Sequence, residues 1–173
     1  MKTTPPTRKK TAVPGAPSSD GGFLLRLELR SDPGLLCAVR GAVERLTEAL
    51  GFAATDCRAV TRAVDEALTN IIRHAYSGAP DKPIELAFRA TARAADGGSG
   101  VGLEIVISDR GPAVDPEKMC GRALSDVKPG GLGLHFIRQS MDVVEFKRTN
   151  GANYLRLVKY VRASKEAAHL TRR

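Results

Sequence analysis

Residues 64–76 read VDEALTNIIRHAY, and the spacing of their apolar positions decides the fold around them. Placed on a helix at about 100° per residue from Glu66, Asn70 falls at about +40° and Arg73 at about −20°. Val60, Val64, Leu68, Ile71 and Ile72 gather on the opposite half. The stretch is an amphipathic helix that turns an aliphatic face to a core and points a carboxylate, a carboxamide and a guanidinium away from it. An ordinary solvated face has the same look, since Glu is a good helix former, although Asn in mid-helix is less expected.

Working outward, this helix starts at about Thr55-Asp56 and runs to Tyr76, where Ser77-Gly78-Ala79-Pro80 ends it. Before it, Leu35, Leu36, Val39, Val43, Leu46 and Leu50 recur at three- and four-residue steps, a second amphipathic helix opened by Ser31-Asp32-Pro33 and stopped near Gly51. Phe23 to Leu29 alternates as a half-buried strand does. After the central helix, Pro83 to Ala92 and Val101 to Ser108 read as a hairpin whose loop holds Gly97, Gly98 and Gly100. A loop-rich stretch with a short helix around Glu117 to Arg122 leads to a third long helix, Leu132 to Met141. Val143 to Arg148 and Tyr154 to Tyr160 then flank the turn pair Asn150-Gly151. This order predicts an α+β fold: a two-layer sandwich in which a mixed, mostly antiparallel sheet is covered on one face by three helices.

A chain of 173 residues suits one domain. Residues 1–22, rich in Pro, Thr, Ser and Gly, are expected to be a disordered basic arm, 23–160 the folded domain and 161–173 a basic tail. The formal charge of +8 is concentrated at the ends: Lys2, Arg8, Lys9 and Lys10 against Asp20 on one side, and Lys159, Arg162, Lys165, Arg172 and Arg173 against Glu166 on the other. The segment between them is close to neutral, so basicity gives the domain no nucleic-acid-reading face. Cys37, Cys57 and Cys120 lack zinc-ligand or CxxC spacing and are expected to be small buried apolar residues in a reducing, cytoplasmic setting. No apolar run approaches the roughly 18 residues of a membrane span, and no signal-peptide core follows Lys9 and Lys10.

Two further stretches carry chemistry. In ISDRGPAVDP, residues 107–116, an apolar strand ends in Asp109, and Gly111 follows two residues later. A strand-end carboxylate accepts hydrogen from an exocyclic amine, and glycine lets backbone approach a flat ring; the same pair also makes a plain turn. In KPGGLGLHFIRQSMD, residues 128–142, Gly130, Gly131 and Gly133 lead into a helix, exposing backbone N–H groups where the helix dipole favours anions. Lys128 adds a cation beside them. Neither a P-loop nor a Rossmann fingerprint is present.

The three stretches in this order resemble the GHKL (Bergerat-fold) ATPase superfamily, and EALTNIIRHAY, SDRGPAVDP and GGLGLHFIRQSMDVVEF look like the RsbW-type anti-sigma serine kinases. The resemblance spans about residues 23–160. It implies ATP and Mg2+ as cofactors, Glu66 as general base and Asn70 as the magnesium ligand. It further implies a nucleotide pocket of Asn70, Arg73, Asp109, Gly111, Ala113, Lys128, Gly130, Gly131, Leu132 and Gly133, with Asp109 and Gly111 at adenine, Gly131 and Gly133 at the phosphates, and 116–129 as a short lid. The family often has a small or hydroxyl residue near the last hairpin; here the chain reads Asn150-Gly151-Ala152-Asn153.

The function implied is an ATP-dependent serine kinase and anti-sigma factor in a partner-switching system, phosphorylating a STAS-type antagonist, with a sigma factor as its other partner and pairing as a homodimer. Phosphoryl transfer needs positioning and charge neutralisation more than covalent chemistry, which is what such a residue set supplies. A non-catalytic ATP- or protein-binding module is the alternative. A histidine-kinase-like fragment is less consistent, because His74 and His135 both lie inside the nucleotide segments. A DNA-binding regulator is suggested by the tails alone.

Overall fold

The computed structural model describes residues 22–92, 101–113 and 132–162. Five strands, β1 (Phe23–Arg30), β2 (Pro83–Ala92), β3 (Val101–Asp109), β4 (Val143–Thr149) and β5 (Ala152–Tyr160), form one sheet in the order β1-β2-β3-β5-β4. All four pairings are antiparallel, going further than the mostly antiparallel sheet the sequence predicts. Among the described residues three helices, α1 (Leu36–Ala49), α2 (Ala54–Asn70) and α3 (Leu132–Ser140), complete the α+β fold. The expected helix at 117–122 lies outside the described residues.

Alternation along the strands explains the layers. Ile84, Leu86 and Phe88 of β2, Leu103, Ile105 and Ile107 of β3 and Leu157 of β5 are buried with Val43, Val60, Val64 and Leu68 of the helices. The other face of β3 carries Glu104, which is 4 % exposed and paired with Arg89 at 3.4 Å and Arg156 at 2.7 Å. Its carboxylate is buried only because two guanidinium groups flank it.

Local chemistry sets the element ends. Asp32 accepts from the Gly34 backbone N–H at 2.8 Å and opens a 3-10 turn, Pro33–Leu35, so α1 begins later than Pro33 and Leu35 stays exposed. The β4–β5 turn places Asn150 at φ 50° and Gly151 at φ 77°, the left-handed pair that a two-residue hairpin requires.

Two expectations need correcting. Cys37 is exposed, because it sits on the outer side of α1's first turn, while Cys57 is buried as anticipated; Cys120 lies outside the described residues. Lys159 is no tail cation: it is 3 % exposed, donates to the Ser140 carbonyl at 2.8 Å and lies 3.7 Å from both Asp56 and Asp142. Those partners tie β5 to the end of α3 and the start of α2. Among the described residues, no helix is long and apolar enough to cross a membrane.

Candidate functional site

Helix α2 does not run unchanged to Tyr76. From Ile71 to Ala75 it widens into a π turn, in which the Tyr76 N–H reaches back five residues to the Ile71 carbonyl at 3.0 Å. The wheel that placed Glu66 and Asn70 on one face holds for the α-helical part, and both are half-buried. Beyond Asn70 each residue advances through a smaller angle, which carries Arg73 off the predicted line, and it is exposed. The run ends with the Gly78 N–H on the Ile72 carbonyl at 2.8 Å, Ser77 and Gly78 both having positive φ.

In its last turn, at Glu66, helix α2 meets Gly133 at the start of α3. A Cβ built on Gly133 would stand 2.6 Å from Cδ and 2.9 Å from Cγ of Glu66, so any side chain at 133 would displace the Glu66 side chain from its present position. Among the described residues, neither the Glu66 carboxylate nor the Asn70 carboxamide has a hydrogen-bond partner. Arg62 over the Phe136 ring, 4.4 Å from its centre, also joins α2 to α3.

At its downstream end the helix meets the loop after β3. A Cβ on Gly111 would lie 2.6 Å from the Ala75 Cβ and 3.2 Å from its Cα, backbone that cannot retreat. Asp109, 7 % exposed, curls over this loop and accepts from the Gly111 N–H at 2.7 Å. Asn153, its neighbour in the β3–β5 ladder, donates to the same Asp109 Oδ1 at 2.9 Å. Arg148 on β4 donates to the Gly111 carbonyl at 3.0 Å.

Tyr76 fastens these pieces together. Its hydroxyl donates to the Pro83 carbonyl at 2.7 Å and accepts from the Arg110 N–H at 2.8 Å, joining the π turn to the start of β2 and the end of β3. Burial pushes the phenol's pKa up from 10.0, with the Asp109 charge adding to the rise and the Arg110 N–H and guanidinium opposing it. A raised folded-state value means that this contribution to stability is intact below about pH 10 and is lost as pH climbs through the raised value. Tyr76→Phe should destabilise the domain by about 0.5–1.5 kcal/mol, because two part-buried backbone groups lose their partner. Urea unfolding followed by circular dichroism would register this as a lower midpoint at unchanged slope.

Of the residues singled out from sequence, Glu66, Asn70, Asp109, Gly111 and Gly133 come together along one side of α2 and its π turn. Ala113 follows as an exposed residue, and Leu132 begins α3. Lys128, Gly130, Gly131 and the segment 116–129 lie outside the described residues.

The histidine kinase-like ATPase domain family matches residues 29–159, most of the chain. The chain belongs to that family. This ATPase domain is 33% identical over 105 residues to the serine/threonine-protein kinase BtrW of Bordetella bronchiseptica, an overlap covering 58% of this chain and 68% of the relative. It is 29% identical over 130 residues to the serine-protein kinase RsbW of Halalkalibacterium halodurans, covering 65% of this chain and 68% of that one. Within the family it therefore stands with the RsbW-type serine kinases. A crystal structure of the RsbU and RsbW domains of a Mycobacterium tuberculosis protein superposes with a TM-score of 0.52 at 16% identity, covering 81% of this chain. The chain spans 34% of that longer protein, and the likeness is one of fold.

Three polar residues of the ATPase domain escaped the sequence reading as parts of its site: Tyr76, Arg148 and Asn153. Asn153 is marked in the sequence only as a departure from a small or hydroxyl residue. Its register opposite Asp109 depends on how β5 pairs with β3, a long-range fact that no local pattern carries.

Proposed function

We propose that this chain transfers the γ-phosphoryl group of ATP to a serine of a STAS-type antagonist protein and holds a sigma factor when that antagonist is phosphorylated or scarce. The observation that carries the reading is the contact of Gly133 with Glu66 in the last turn of α2 and of Gly111 with Ala75 nine residues on, at the end of the π turn. Residues 66 and 75 are separated by roughly 13 Å of helix axis, a length suited to an extended nucleoside triphosphate. The adenine amine would face Asp109, and the phosphates would lie at the start of α3, where free N–H groups and the helix dipole favour anions. Membership of a kinase branch of the family supports the same reading.

Glu66 would then accept the hydrogen of the serine hydroxyl. As the serine Oγ bonds to the γ-phosphorus, the bond from that phosphorus to the β–γ bridging oxygen breaks, the proton passes to a carboxylate oxygen of Glu66, and ADP leaves. Asn70 supplies one neutral oxygen next to a carboxylate, a donor set that fits Mg2+, an ion that keeps most of its waters. The charge this ion supplies when bound would neutralise the phosphates. Pairing as a homodimer and action in the cytoplasm belong to the same proposal.

Incubation with γ-labelled ATP, Mg2+ and a STAS-domain protein of the same organism should place label on a serine of that protein. Nucleotide binding with no labelled acceptor would favour a non-catalytic module instead.

A further inference from the structure

Asn153 is 1 % exposed, and a carboxamide buried that deeply must place all its hydrogen-bonding groups. The ladder sets it in one row across the sheet, Ile84, Asp109, Asn153 and Arg148, on the face that carries the helices. Its Nδ2 donates to Asp109 Oδ1 at 2.9 Å and to the Pro112 carbonyl at 3.2 Å. Its Oδ1 accepts from an Arg148 guanidinium nitrogen at 2.5 Å, and the same nitrogen donates to the Gly111 carbonyl at 3.0 Å. The two ends of the amide are thus assigned without ambiguity, because only an acceptor faces the guanidinium and only a donor faces the carboxylate.

The consequence falls on Asp109. Its Oδ1 already accepts from the Gly111 N–H at 2.7 Å and from Asn153, while Oδ2 has no partner among the described residues. A hydroxyl in the place of Asn153 could donate or accept and would leave the carboxylate free to turn. The amide can only donate here, so it fixes which oxygen of Asp109 remains to meet a ligand. Arg148, reaching over from β4, holds both the amide and the peptide of the loop that would underlie a flat ring.

We propose that Asn153 and Arg148 form a specificity-determining clamp for the nucleobase, presenting Asp109 Oδ2 as an acceptor that selects a purine with an exocyclic amine over one with a carbonyl at that position. The clamp rests on the nucleotide-site reading above. A carbonyl facing this oxygen meets an acceptor with no hydrogen between them, and sites built around such a bond discriminate strongly.

The test is calorimetric titration of the full chain with ATP, with ITP, in which a carbonyl at C6 and a hydrogen at N1 replace the amine, and with purine riboside triphosphate, which lacks only the amine, for the wild type, Asn153→Leu and Arg148→Met. The wild type should prefer ATP to either analogue by about 10²-fold or more. Asn153→Leu should reduce the preference at least about tenfold, chiefly by weakening ATP binding, and Arg148→Met should reduce it less. A merely structural role would weaken all three nucleotides alike and leave their ratios unchanged. Should Asn153→Leu fail to fold, Arg148→Met, on an exposed side chain, decides the matter by the same ratio. An unchanged ratio in a folded variant overturns the clamp while leaving the nucleotide site standing; a wild type that binds none of the nucleotides overturns both.

Discussion

Glu66→Ala is expected to lower phosphoryl transfer to the protein acceptor by about 10²- to 10⁴-fold, the range that positioned acid–base groups contribute. Nucleotide affinity should stay within a few-fold of the wild type. The two effects separate because the carboxylate, against Gly133, would lie at the phosphate end of the proposed site, whereas the contacts that would recognise the base come from Asp109 and its neighbours near Ala75. Removing a negative charge from beside a triphosphate also takes away a repulsion, so ATP binding is as apt to tighten as to weaken. Single-turnover labelling of the acceptor serine, set beside calorimetric ATP binding, gives both quantities. Transfer at the wild-type rate would remove Glu66 from the chemistry and leave its place beside Gly133 as packing.

The elements of this fold were legible where pattern and period agree. α2 could be read because Val60, Val64 and Leu68 repeat at helical steps, and the last hairpin because Asn150-Gly151 accepts positive φ at both positions. The π turn was not legible: Ile71 and Ile72 fit the helical stripe equally well whether the winding is α or π. What selects the wider winding is tertiary, since Tyr76 is held by Pro83 and Arg110, and Ala75 must lie against Gly111. The exposure of Cys37 and the burial of Lys159 have a similar origin. A cysteine is apolar enough for a core yet was carried to the outer side of α1, and a lysine that looked like part of a basic tail found a carbonyl and two carboxylates inside. Site chemistry followed the same division. Glu66 and Asn70 share a face through local geometry alone, whereas the meeting of Asp109 with Asn153 and Arg148 needs strands from distant parts of the chain to align in register.

Gly133→Ala is expected to reduce kcat by about 10- to 10²-fold without lowering the melting temperature, and the pairing of those outcomes makes it informative. Gly133 is the second residue of α3, where alanine is the better helix former by about 1 kcal/mol, so secondary structure alone favours the variant. The new methyl would nonetheless fall 2.6 Å from Cδ and 2.9 Å from Cγ of Glu66, closer than any real contact. Cγ stands near the root of that side chain, so rotation of the carboxylate alone does not relieve the overlap, and Glu66 has to change rotamer. A displaced base loses transfer while the fold and the base-recognising end of the site stay intact, which predicts a fall in kcat with little change in ATP affinity. The double variant distinguishes this from an effect on the phosphates themselves. If Gly133 acts through Glu66, adding Gly133→Ala to Glu66→Ala produces almost no further loss, because the side chain it would displace is already gone. Losses that multiply would instead assign Gly133 a role of its own, with its backbone against the phosphates.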